Sequence, residues 1–127
     1  MIRVYVAGPI SKGNVQHNIY NAIKVGDNLL ELGFCPFIPH VTCLWDIVSP
    51  HTYEEWTKWD DEWLKLCHAV LRMPGESEGA DAECRLAKTN NIPVFYTLHA
   101  LVFWRDRSKP TLRTLEKGER GEDGIHE

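Results

Sequence analysis

Ile2-Arg3-Val4-Tyr5-Val6-Ala7-Gly8-Pro9 opens the chain, and the change of period after it decides the fold. Ile2, Val4 and Val6 alternate with Arg3 and Tyr5, the two-residue repeat of a strand, and Gly8-Pro9 ends it in a turn. From Asn14 the step lengthens. Val15, Ile19, Ala22, Ile23, Leu29 and Leu30 recur every three or four residues, which predicts an amphipathic helix capped near Gly33.

The same alternation of periods continues. Residues 34–38 are a short apolar run closed by Pro39, read as a second strand. Residues 39–52 read as a loop, because Pro39, His40, Thr42, Asp46, Ser49, Pro50 and His51 break any repeat. Thr52 with Glu55 forms a capping box for a second helix, where Trp56, Trp59, Trp63, Leu66 and Cys67 keep helical spacing. Residues 69–71 give a third strand, 73–79 a loop, 80–89 a third helix and 92–97 a fourth strand. Strands alternating with helices in this way predict an α/β fold. We expect a single doubly wound, Rossmann-like parallel sheet of four to five strands, in the order 2-1-3-4.

The chain of 127 residues has room for one domain, expected over 1–104, followed by a charged tail over 105–127. Leu101-Val102-Phe103-Trp104 reads as a strand, a short helix or a docking patch. The last ten or so residues, rich in charge and glycine, are expected to be poorly ordered. The net charge is −4, carried entirely by residues 1–104. That balance excludes a large nucleic-acid footprint, which needs a surplus of Lys and Arg. No apolar run reaches bilayer length and the N-terminus does not resemble a signal peptide, so a cytoplasmic protein is expected, with no membrane partner. Cys35, Cys43, Cys67 and Cys84 lie among mostly apolar neighbours and read as reduced thiols. His40, Cys43, Cys67 and His68 match the spacing of no common zinc module, so no metal and no cofactor are expected.

In an open parallel sheet, ligands bind beyond the strand ends where the order reverses, here between the first and third strands. The two loops that leave those strands carry unusual residues. Gly8-Pro9-Ile10-Ser11-Lys12-Gly13 has two glycines, a hydroxyl, a lysine and a helix start, features that suit an anion. It is neither a dinucleotide fingerprint nor a P-loop, and a plain strand-to-helix turn also accounts for it. The second loop, Gly75 to Glu83, places Glu83 about one turn into a helix, where the dipole favours the anion. An anionic carboxylate there suits attack on a cationic sugar centre. Asp60 lies three residues from Trp63. With Trp56, Trp59 and Trp63 packed inward, Asp60 sits at the edge of apolar surface, while Asp61 and Glu62 face water. A carboxyl so placed can have a raised pKa and serve as a general acid, the alternative being an ordinary solvated acidic face.

Three segments together resemble the nucleoside 2-deoxyribosyltransferase superfamily, which includes the deoxynucleoside 5′-monophosphate N-glycosidases. They are Val4-Tyr5-Val6-Ala7-Gly8-Pro9-Ile10, Trp59-Asp60-Asp61-Glu62-Trp63-Leu64, and Ser77-Glu78-Gly79-Ala80-Asp81-Ala82-Glu83 with Ala87. The resemblance implies that Glu83 is the nucleophile at the anomeric carbon, Asp60 the acid near the departing base, and Tyr5 an aromatic wall of the sugar site. It also implies that Ser77, beside Gly79, contacts a 5′-phosphate together with Ser11, Lys12 and Gly13. An aspartate at 77 would repel that phosphate. His68 and Lys12 depart from the superfamily's usual Asp and Arg, and loop 39–52 has no counterpart in its characterised members. A homodimer or larger assembly is implied as well, with a neighbouring subunit completing the site.

The leading reading is hydrolysis or transfer at the N-glycosidic bond of a nucleotide or nucleoside. The alternative is a non-catalytic module that binds a nucleotide-derived ligand on the same fold.

Overall fold

The computed structural model describes residues 1–107. Four parallel strands form one sheet in the order β2-β1-β3-β4. They are β1 (Arg3–Ala7), β2 (Cys35–Phe37), β3 (Ala69–Arg72) and β4 (Val94–Phe95). The helices are α1 (Val15–Glu31), α2 (Thr42–Val48), α3 (Tyr53–Leu64), α4 (Glu78–Thr89) and α5, over residues 98–107. The expected α/β class and strand order are those of the structure, with shorter strands than the apolar runs suggest.

Alternation along β1 divides the core in two. Val4 and Val6 join Leu29, Phe34, Leu71 and Leu101 on the face covered by α1 and α5. Tyr5 and Ala7 join Leu64, Val70, Cys84 and Ala87 on the face covered by α3 and α4. Register pairs Tyr5 with Phe37 of β2 and Val70 of β3, so Tyr5 lies at mid-sheet. Helices from the adjacent strands β1 and β3 therefore leave towards opposite faces, and a crevice opens between their first turns.

Local chemistry sets the helix ends. The Asn14 side chain accepts from His17 N, and Gly33 follows the C-cap of α1 at a φ of 92°. Thr52 and Glu55 form the expected capping box on α3. Ser77 caps α4 by accepting from Ala80 N at 3.0 Å.

Residues 39–52 are not a plain loop. Pro39–Val41 form a 3-10 turn and α2 follows at once. Tertiary contacts hold this short helix. Asp46 accepts from Trp56 Nε1 at 2.7 Å and from His51 N at 2.8 Å, and Trp45 meets Trp56 edge-on at 5.1 Å between ring centroids. The prolines at both ends conceal a helix that its neighbours stabilise. Leu101-Val102-Phe103-Trp104 is helical, with Leu101 fully buried and Phe103 exposed. The expected tail beyond residue 107 lies outside the described residues.

At the β2 edge of the sheet, Cys35 N–H donates inwards to Ile2 O at 2.8 Å, and Pro36 occupies the next position. Among the described residues no helix is long and apolar enough to cross a membrane.

The burial of Leu101 makes α5 part of the core. Leu101→Ala should cost about 2–4 kcal/mol in urea denaturation followed by tryptophan fluorescence, whereas Leu44→Ala, on the exposed side of α2, should cost under about 0.5 kcal/mol.

Candidate active site

Tyr5 is fully buried at the centre of the sheet, and its O–H donates to Glu83 Oε2 at 2.5 Å. This bond joins β1 to the second turn of α4. Burial and the neighbouring carboxyls Glu83 and Asp60 raise the phenol's pKa, so it stays a proton donor. Asp60 projects from α3 toward the same place. It is 8% exposed, and its Oδ1 has no hydrogen-bond partner among the described residues.

Both acids hold their protons unusually tightly. Burial, with repulsion from Glu83 and Asp61, pushes Asp60 up to about 8. Burial also pushes Glu83 up to about 7, although Tyr5 and the Arg72 guanidinium pull it down. The helix N-terminus favours the anion at Glu83, and burial works against it. Two carboxyls this close resist double ionisation, so the pair titrates in separate steps.

The aromatic residues form a wall beside these acids. Phe37 stacks on Tyr5 at 5.5 Å, and Trp63 stacks on Phe37 at 5.6 Å. Trp59 touches Phe37, Trp45 and Trp56. The tryptophans do not all pack inward as their spacing suggests. Trp63 is 44% exposed, while Asp60 and Leu64 take the buried positions on α3. Asp61 is half-buried rather than facing water, and burial raises its pKa.

The first loop is held from several sides. Gly8 is buried, with Met73 packed where a β-carbon would go. Gly75, at a φ of 115°, leaves room for the Pro9 ring. An added β-carbon there would lie 2.8 Å from Pro9 Cγ. Asn18 Nδ2 donates to Ile10 O at 3.0 Å and Lys12 O at 2.8 Å, closing the loop onto α1. Ser11 and Gly13 are exposed, the latter at a φ of 83°. Lys12 pairs with Glu76 at 3.3 Å across the crevice, both largely exposed. Gly79 lies in the first turn of α4, and a β-carbon on it would sit 3.5 Å from the Tyr53 hydroxyl and 4.0 Å from Ser77 Oγ.

The structure thus brings Tyr5, Asp60 and Glu83 into one cluster, and places the first loop and Ser77 at the neighbouring strand ends. Sequence reading missed Asn18, Phe37, Trp45, Tyr53 and Arg72. The last ends β3 nine-tenths buried, donates to Asp81 Oδ1 at 2.8 Å and to Met73 O, and draws Glu83 down. A charge ending an apolar strand was the one signal for it. A cleft of about 360 Å³ opens beside the second loop, lined by Arg72, Met73, Pro74, Gly75, Asp81 and Tyr96. Among the described residues, no three His, Cys, Asp or Glu side chains converge as a metal ion would require.

A four-stranded parallel sheet in the order 2-1-3-4 defines a doubly wound α/β fold. Over residues 2–97 the chain matches the model of a domain of unknown function (DUF7768), and it belongs to that family. No curated protein matches it significantly in sequence. Among solved structures it is similar to the 2-deoxyribosyltransferase of the psychrotolerant bacterium Bacillus psychrosaccharolyticus. The identity is 20%, the TM-score 0.53, and the match covers 72% of this chain and 69% of that one. At that identity the likeness establishes the fold.

The raised pKa values fix the sign of a stability test. Asp60 and Glu83 bind protons more tightly folded than unfolded. Their contribution is full below the ordinary carboxyl values of 3.8 and 4.5 and is lost as pH rises through about 7 and 8. The thermal midpoint measured across this range should therefore fall, and Asp60→Asn should flatten the decline.

Proposed function

We propose that the protein breaks the N-glycosidic bond of a (deoxy)nucleoside 5′-monophosphate or nucleoside, by hydrolysis or transfer, with Glu83 as nucleophile. The observation that carries this reading is the pairing of Glu83, hydrogen-bonded by Tyr5 at 2.5 Å, with the more tightly protonated Asp60. Retaining glycoside chemistry requires one carboxylate and one carboxylic acid on opposite sides of the scissile bond. The superfamily resemblance of the segments around Tyr5, Asp60 and Glu83 supports it, as does the fold shared with a 2-deoxyribosyltransferase.

In the first step the Glu83 carboxylate bonds to the anomeric carbon as the C1′–N bond breaks. The bond's electron pair leaves on the base, and Asp60 delivers its proton there. In the second step water attacks the glycosyl ester, or a second base does so in transfer. Water gives its proton to the Asp60 carboxylate, and Glu83 departs as an anion. The Tyr5 hydroxyl holds one Glu83 oxygen and orients the other. The aromatic wall of Phe37, Trp59 and Trp63 offers π-faces to a base. The Ser77 hydroxyl and the loop Gly8–Gly13 lie on the side assigned to the 5′-phosphate. Lys12 exchanges its Glu76 partner for that phosphate.

Three outcomes test this reading. Chromatography of products from deoxynucleoside 5′-monophosphates and free nucleosides should reveal free base, with Glu83→Gln lowering the rate by at least about 1,000-fold. The pH profile of kcat/KM should be bell-shaped, rising as Glu83 ionises near about 7 and falling as Asp60 ionises near about 8. Ser77→Asp should weaken a 5′-monophosphate by about tenfold or more relative to its nucleoside. Undiminished nucleotide binding without base release, in wild type and Glu83→Gln alike, would favour the non-catalytic binding module.

A further inference from the structure

One fully buried histidine has no part in this chemistry. His40 lies in the 3-10 turn after β2, and its ring is completely shielded from solvent. Its Nε2 stands 2.9 Å from the carbonyl oxygen of Pro9. A carbonyl only accepts, so Nε2 carries the proton and Nδ1 is the unprotonated nitrogen. Nδ1 is buried and has no hydrogen-bond partner among the described residues. Burial holds the imidazole's pKa below its ordinary value, which keeps the ring neutral.

The ring is firmly set. Pro39 fixes the backbone beside it and is itself fully buried. Thr42 Oγ1 donates to Pro39 O at 2.8 Å, and Val41 N to Ile38 O at 3.2 Å. Ile38 in turn packs its Cδ1 into the space that a β-carbon on Gly26 of α1 would fill. The group that His40 grips is equally constrained. The Pro9 ring rests over Gly75, so residue 9 is held through its carbonyl from the β2 side and through its ring from the β3 side. Further along the same connection, Trp45 and Asp46 are fastened to Trp56, on the helix that carries Asp60. Segment 38–48 thus bridges the first loop and the carboxyl pair.

We infer that His40 is a positioning residue, whose Nε2–H bond to Pro9 O fixes the loop Gly8–Gly13 relative to the Asp60–Glu83 pair. The geometric part stands on the contacts above. Its consequence for ligands, a loop preset for the 5′-phosphate, rests on the proposed function.

The test uses the full chain with His40→Leu, which removes the donor, and His40→Gln, whose amide N–H reaches to a similar point. Thr42→Val, which loosens the same turn without touching Pro9, is the control. Imidazole nitrogen NMR of the wild type should show a neutral ring protonated at Nε2. In His40→Leu the backbone amide resonances of residues 10–13 should shift, and His40→Gln should return them towards wild type. For a deoxynucleoside 5′-monophosphate, His40→Leu should raise KM about tenfold with kcat within about twofold, while the free nucleoside changes by less than about twofold.

The inference is overturned by any of three results: a proton on Nδ1, unmoved amides 10–13 in folded His40→Leu, or equal effects from Leu, Gln and Val variants. If the wild type neither binds nor cleaves any nucleotide, the functional reading fails, and the amide shifts and tautomer alone decide the role of His40. If His40→Leu does not fold, the wild-type tautomer and His40→Gln decide it.

Discussion

The hydrogen bond from Tyr5 to Glu83 ties the middle of the sheet to α4, and the arrangement of the site follows from it. Tyr5 sits between Phe37 of β2 and Val70 of β3, so its ring cannot move without disturbing both neighbours. A phenol whose pKa is raised by burial remains a donor at any physiological pH. Glu83 therefore always has one oxygen engaged, and its position on α4 is set by a residue three strands wide in its support. The aromatic stack through Phe37 to Trp59 and Trp63 begins at the same ring. Helix α3, with Asp60 on it, is thus aligned by contacts that also start at Tyr5.

A second constraint sets the width of the crevice. The two loops at the switch point meet where a glycine faces a side chain: Gly8 against Met73, and Gly75 against the Pro9 ring. A side chain at Gly8 would press on Met73, and one at Gly75 would collide with the Pro9 ring and strain a φ of 115°. Asn18 then folds residues 10–12 back onto α1 through two carbonyls. The contrast with Lys12 and Glu76 is instructive. That exposed pair, in high dielectric, contributes little to holding the loops and can exchange partners freely. Rigidity at the crevice comes from packing and buried hydrogen bonds, while its charged rim stays adaptable.

Much of this was legible in the sequence because the signals are local. The two-residue repeat of β1, the helical repeat of α1, and the Thr52–Glu55 capping box each speak through neighbours within four residues. Their order was enough to place the switch point between β1 and β3, but the three-residue step from Asp60 to Trp63 misjudged α3, where Asp60 is buried and Trp63 half exposed. What stayed hidden depends on contacts distant in sequence. α2 is seven residues between prolines, and it forms because Trp45 and Asp46 reach α3. α5 gains its role by covering β1 and β3 from the far end of the described chain. At Glu83 the local position favours the anion while burial works the other way, and burial depends on residues distant in sequence. His40 and Arg72 likewise take their meaning from backbone carbonyls and carboxyls that no periodicity connects to them.

The β2 edge, which pairs with no other strand among the described residues, bears on how copies of this chain can meet. In β2 the backbone N–H groups alternate between facing β1 and facing outward. Cys35 donates inward, so the outward place falls to Pro36, which has no N–H to offer. A further strand laid along this side would find a carbonyl without the matching donor, which blocks continuous ladder growth and the fibrous stacking that follows from it. Pro36 thus makes this edge a poor template for pairing with a second copy of the chain.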